Sequence, residues 1–150
     1  MRLTICIAVC LGAAWLGSLL TRPALTPWYA GLAKPSWTPP NWLFAPAWII
    51  LFLAMAFAAW LVWRQSSLTA VPMQLFLVQL VLNVGWSAVF FRLRSPGAAF
   101  VEIAMLWCGI LITTIAFKRI VPLAGWLMIP YLTWVTFAAA LNFAIWRLNS

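Results

Sequence analysis

Hydrophobic and polar positions alternate along this chain on the scale of whole segments. Five long apolar stretches, at 3–20, 43–63, 72–91, 97–117 and 122–146, are separated by short polar or charged joints. About 20 apolar residues in helical rise cross the hydrocarbon core of a bilayer, so each stretch predicts one spanning helix. Four stretches carry no charge, and the fourth carries only Glu102. Pro72, Pro96 and Pro122 open three of the predicted helices, positions where a missing amide hydrogen costs nothing. Pro130 falls inside the fifth and predicts a kink. The first stretch follows Arg2 and resembles a signal peptide. Its apolar run continues to Leu20 without a small-x-small cleavage site, which favours a retained span.

Composition strengthens this picture. Of 150 residues, 67% are hydrophobic and 7% charged, against roughly 45–50% and 25% in soluble domains. The net charge of +8 is spread over the joints, with no basic face to follow phosphates, so nucleic acid is not an expected partner. Arg2, Arg64, Lys118 and Arg119 fall at one end of a five-span bundle, and Arg22, Lys34, Arg92, Arg94 and Arg147 at the other. So even a division leaves orientation open. Histidine is absent, and Cys6, Cys10 and Cys108 form neither a metal pattern nor a disulfide framework. No metal site and no required cofactor are expected, and no nucleophile–base pair is visible.

The first joint, residues 21–41, is the long one. Its five prolines and its Trp28, Tyr29, Leu32 and Trp37 predict a stiff, buried lid over one mouth of the bundle, or else an aromatic belt lying on headgroups. Twelve tryptophans exceed what belts require. Trp48 and Phe52 share a helical face, as do Trp134, Ala138 and Asn142. Gln79, Asn83 and Ser87 form a polar stripe beside Trp86 and Phe90. Two readings of the stripe stand: polar groups that join neighbouring helices, or the polar points of an aromatic-walled cavity. Glu102 reads either as an acid near a helix N-terminus or as the proton site of a coupled exporter. Small-residue steps at Ala13–Gly17 and Ala104–Cys108 would allow close helix approach.

The ordered run of Trp28, Tyr29, Leu32, Lys34, Pro35, Trp37, Pro39, Pro40, Trp42, Phe44, Pro46 and Trp48 resembles the TspO family, the tryptophan-rich sensory proteins related to the mitochondrial translocator protein. Matching pieces are Gly17 to Pro23 before the loop, Asn83 to Ser87 with Phe90 and Phe91, Pro130 to Trp134, and Ala140 to Asn142. The resemblance covers nearly the whole chain. It implies an all-α, five-transmembrane-helix bundle in a single domain, 1–150, with the first loop as a lid. It also implies a bacterial cell-membrane location, a homodimer, and a pocket for porphyrins (protoporphyrin IX or haem as ligand) and sterols. The implied role is transport, sensing or disposal of tetrapyrroles. Expected ligand-binding residues are Trp37, Pro40, Trp48, Phe52, Asn83, Trp86, Phe90, Cys108, Trp134 and Ala138. Some relatives are reported to degrade porphyrin in light, which would make Trp48 and Trp134 photochemical candidates. The sterol-motif region maps to Leu141, Phe143 and Arg147, where Phe143 replaces the motif's tyrosine and removes its hydroxyl.

Overall fold

The computed structural model describes residues 1–150 and is all helical. Five helices are long and apolar enough to cross a membrane: α1 (Arg2–Ala24), α2 (Asn41–Gln65), α3 (Val71–Ser87), α4 (Pro96–Ile120) and α5 (Pro122–Leu148). A π-helical segment extends α1 (Leu25–Tyr29) and another extends α3 (Ala88–Arg92). Most helices run past their apolar stretches, because a helix continues through polar residues at the headgroup level while only its middle must be apolar.

The helices form a closed ring. Neighbours in contact are α1 with α2, α2 with α5, α5 with α4, α4 with α3, and α3 with α1. The α4–α5 pairing is the most extensive. These two helices are joined by Val121 alone, and Gly125 makes the tight return possible. A methyl group there would collide with Cβ of Lys118 and come within 2.8 Å of its Cα. The core is a cluster built from all five helices, with Cys10, Met55, Leu106, Met128 and Tyr131 among its buried members. By contrast α1 is largely open, with Trp15, Leu16 and Leu19 on its exposed face.

Proline behaves differently at its several positions. Pro72, Pro96 and Pro122 occupy the first turns of α3, α4 and α5 as expected. Pro130 lies within a continuous α5. The break in helical geometry falls at Thr26, whose φ of −135° and ψ of 129° divide α1 from a short helical continuation. Only residues 32–40 lie outside helices in the long first joint; Pro23 lies within α1 and Pro27 within the continuation.

The cationic ends are anchored by aromatic rings. Opposite the first loop, Arg2 stands over Trp63 (5.4 Å to the ring centre), Arg64 over Trp60 (4.9 Å) and Lys118 over Trp126 (4.5 Å). Arg2 also donates to the carbonyl of Trp63 at 2.8 Å. Such pairs keep the charge wet and the indole at the interface, and they account for three tryptophans.

One small-residue step is used within the chain. A Cβ on Gly17 would lie 3.5 Å from Oγ of Ser87, so the Ala13–Gly17 step serves the approach of α1 to α3. Ala104 and Cys108 lie exposed on α4.

Candidate functional site

The first loop closes one end of the bundle and is held by hydrogen bonds at both shoulders. Lys34 donates through Nζ to the carbonyls of Tyr29 (2.7 Å) and Leu32 (3.0 Å), and lies over the Tyr29 ring at 4.8 Å. Its ammonium thus satisfies the open end of the short helical continuation. Asn149, just past α5, brackets one peptide unit of the loop. The Ala33 N–H donates to its Oδ1 at 3.0 Å, and its Nδ2 donates to the Ala33 carbonyl at 2.8 Å. A turn closed by Thr38 N–H on the carbonyl of Pro35 (3.1 Å) carries Trp37.

Beneath this loop an aromatic wall spans α2 and α5. Trp37 meets Phe137 edge to face at 5.7 Å. Trp48 meets Trp134 at 6.3 Å with the rings nearly perpendicular (86°), and Phe52 at 5.8 Å. Phe44 packs on Trp134 at 6.0 Å, and Phe137 packs on it at 5.6 Å. These are the edge and tilted contacts that aromatic quadrupoles favour. The wall backs a groove of about 530 Å³ between α2 and α5, lined by Ala47, Ile50, Leu51, Ile129, Pro130, Thr133, Trp134 and Phe137. Ile50 and Pro130 are exposed, so the groove opens sideways toward lipid. The Trp134 indole N–H is buried and has no acceptor. Ala138 is buried one turn from Trp134, whereas Ala140 is exposed. Pro40 is exposed where the loop enters α2.

The polar stripe does something different. Asn83 donates through Nδ2 to the Tyr131 hydroxyl at 2.7 Å, and that hydroxyl donates to Oε1 of Gln79 at 2.8 Å. Trp86 donates through Nε1 to Oδ1 of Asn142 at 2.9 Å, and Asn142 donates onward to the carbonyl of Pro96 at 2.7 Å. These bonds tie α3 to α5, and α5 to the start of α4. Of the two readings of the stripe, the helix-joining one describes how these side chains are engaged. Trp86 and Phe90 belong to a second aromatic group with Trp28, Tyr29 and Phe91, which seats the loop on α3.

Other expected residues lie elsewhere. Cys108 is exposed on the outer face of α4, because Leu106 and Ile110 on either side of it point inward; it does not join the wall. Leu141 is buried, while Phe143 and Arg147 are exposed one turn apart, so the three residues of the sterol-motif region do not share a face. Glu102 packs against α3, where a Cβ on Gly85 would lie 3.2 Å from its Oε1. Both of its carboxylate oxygens are buried without a partner.

Sequence reasoning missed Tyr131, Phe44 and Phe137. Each carried a signal. Tyr131 is fully buried and is a hydroxyl-bearing ring in an apolar span, which calls for a partner. Phe44 stands four residues before Trp48 and Phe137 three after Trp134, the spacings that share a helix face.

The comparisons with known proteins agree with this architecture. A family profile described as the TspO/MBR family matches residues 6–147. The Tryptophan-rich protein TspO of Chlorobaculum tepidum is 44% identical, over 99% of this chain and 96% of that protein. The human Translocator protein is 40% identical, over 81% of this chain and 75% of its own length. The Protein CrtK of Rhodobacter capsulatus is 38% identical, over 81% of this chain and 78% of that one. A match across nearly the whole chain, joined to five apolar helices closed into a ring, makes this an integral membrane protein that belongs to the TspO/MBR family.

Proposed function

We propose that the protein is a tetrapyrrole receptor of the bacterial cell membrane, taking protoporphyrin IX or haem against the α2–α5 aromatic wall and acting in tetrapyrrole transport, sensing or disposal. The observation that carries this reading is Trp134. Its ring stands in the wall and lines the groove, while its indole N–H is buried without an acceptor. An unmet buried donor costs about 1–3 kcal/mol, so a ligand that brings an acceptor to this indole gains what the free protein lacks. The groove of about 530 Å³ falls within the range of small-molecule sites, roughly 300–1,000 Å³, and has their mainly apolar lining. Its opening toward lipid suits a flat, apolar ring that partitions into the bilayer. With no histidine in the chain, haem would be held by its plane and edges rather than through a histidine on iron. Of the two cations in the first joint, Lys34 is already engaged by loop carbonyls, so Arg22 is the one free to meet a propionate. Sterol is a weaker candidate, since Leu141 and Phe143 face opposite ways.

The test is quenching of the protein's own tryptophan emission by protoporphyrin, haem and cholesterol in parallel, on wild type and Trp134→Phe. Saturable quenching by a tetrapyrrole, weakened in the variant at unchanged helix content, is expected. Quenching that never saturates with any tetrapyrrole would remove the proposal.

A second reading, proton-coupled export, draws on the buried and unpartnered Glu102 carboxylate. It predicts that Glu102→Gln abolishes uptake driven by a pH gradient in vesicles; unchanged uptake eliminates it.

A further inference from the structure

A separate cleft lies at the loop end of the bundle, where α1 meets the π-helical end of α3. Leu20, Pro23, Ala24, Phe91, Arg92 and Arg94 line it, and its volume is about 260 Å³. In the helix ring this α1–α3 junction lies apart from the α2–α5 groove. The cleft is also smaller than the roughly 300–1,000 Å³ of sites for drug-sized ligands.

Two features mark the cleft as built for an anion. Its two guanidinium groups have no carboxylate side chain to answer them. The only acidic side chain in the protein is Glu102, whose oxygens bond to nothing and pack on Gly85. The second feature is backbone conformation. Arg94 has φ of 52°, in the left-handed region that glycine normally supplies where a helix ends. The turn closes around it through Leu93 N–H on the carbonyl of Ala88 (2.9 Å) and Ser95 N–H on the carbonyl of Val89 (3.2 Å). An arginine kept in a glycine's conformation is a local strain that a function can account for.

The apolar part of the lining narrows the choice of anion. Leu20 and Ala24 belong to the last turns of α1, and one turn below Leu20 on the same face is Leu16, which is exposed, as is Leu19. An oxyanion between the guanidiniums would therefore sit above an apolar helix face that continues into the bilayer. We propose that this cleft binds the phosphate of an anionic phospholipid headgroup, with Arg92 and Arg94 on the oxyanion and the acyl chains along Leu20 and Leu16. Paired guanidiniums suit a phosphate because each presents a planar fork of donors. A free phosphate offers the same oxyanion without the chains, so the two sources separate by experiment.

The experiment is native mass spectrometry of the intact protein in mild detergent. It is titrated with short-chain phosphatidylglycerol, with phosphatidylcholine of the same chains, and with inorganic phosphate. One retained phosphatidylglycerol is expected, at concentrations where phosphatidylcholine and phosphate alone leave no adduct. Arg94→Gly removes the guanidinium yet suits the backbone. It should keep the melting temperature while weakening phosphatidylglycerol retention ~10-fold, the scale of one lost charged hydrogen bond. Arg92→Ala with Arg94→Gly should weaken it further and leave porphyrin quenching unchanged. Equal retention of the two lipids by wild type, or phosphatidylglycerol retention that survives the double variant, would overturn the proposal. Saturation by inorganic phosphate alone would assign the cleft to a soluble anion and overturn the lipid.

Discussion

The Tyr131 hydroxyl is the strongest single test of how this bundle is held together. It accepts from Asn83 at 2.7 Å and donates to Gln79 at 2.8 Å, inside a ring that is fully buried. Tyr131→Phe deletes one oxygen and no carbon, so packing is nearly unchanged and two hydrogen bonds are lost. In membrane bundles such bonds average about 0.6 kcal/mol each, with about 1.7 as the upper end. Two of them give ~1.2 kcal/mol at the average and a ceiling near 3.4. The upper half is expected here, because Asn83 Nδ2 and Gln79 Oε1 are left where neither water nor lipid can answer them. The other contact of Gln79, from Nε2 to the sulfur of Met55 at 3.8 Å, is too weak to compensate. The assay is reversible unfolding in mixed micelles followed by tryptophan emission. A triple variant, Tyr131→Phe with Gln79→Leu and Asn83→Leu, should recover much of the loss, since it removes the orphaned groups as well. A Tyr131→Phe protein as stable as wild type would refute the view that this network joins α3 to α5.

Four other outcomes are expected. Ala138→Leu overpacks a buried site beside Trp134 at a cost of roughly 1–3 kcal/mol; if the cost falls on the bound state, porphyrin affinity drops about 5- to 150-fold in a quenching titration, while Ala140→Leu, on an exposed position, leaves it unchanged. Gly125→Ala drives a methyl into Lys118 and should lower stability by about 1–3 kcal/mol, read from the same unfolding curves. Asn149→Ala releases the bracketed Ala33 peptide; faster proteolysis within residues 32–40 and a faster porphyrin off-rate are expected, with helix content unchanged by circular dichroism. For the homodimer that the resemblance implies, we propose the outward Ala104–Cys108 face of α4; Cys108 is an exposed free thiol, so a short bis-maleimide, which adds one thiol at each end, should yield dimers in membranes that Cys108→Ser abolishes.

Much of this protein was legible before any tertiary structure. Bilayer crossing makes strict demands on local composition: each span must be predominantly apolar over about 20 residues and must satisfy its own backbone. Five spans and the three prolines in the first turns of α3, α4 and α5 therefore follow from the order of residues alone. The motif from Trp28 to Trp48 carried the family. Helical spacing placed Trp48 with Phe52, and Trp134 with Ala138, because neighbours on one helix depend only on its period.

What the order of residues left open was every choice made between helices. All-round apolar helices carry no amphipathic stripe to say which face is inward. The resemblance counted Cys108 among the site residues, and only the burial of Leu106 and Ile110 shows that it points away from the interior face of α4. The polar stripe on α3 had two readings until Tyr131, some fifty positions away, stood between Gln79 and Asn83. The fit of Trp28 and Tyr29 over Phe90 and Phe91 likewise depends on the end of α3 standing where it does, whereas the break at Thr26 has a local cause in the proline that follows it. Local chemistry determines that these segments enter a membrane; complementarity between distant side chains, summed over the closed ring, decides which faces meet.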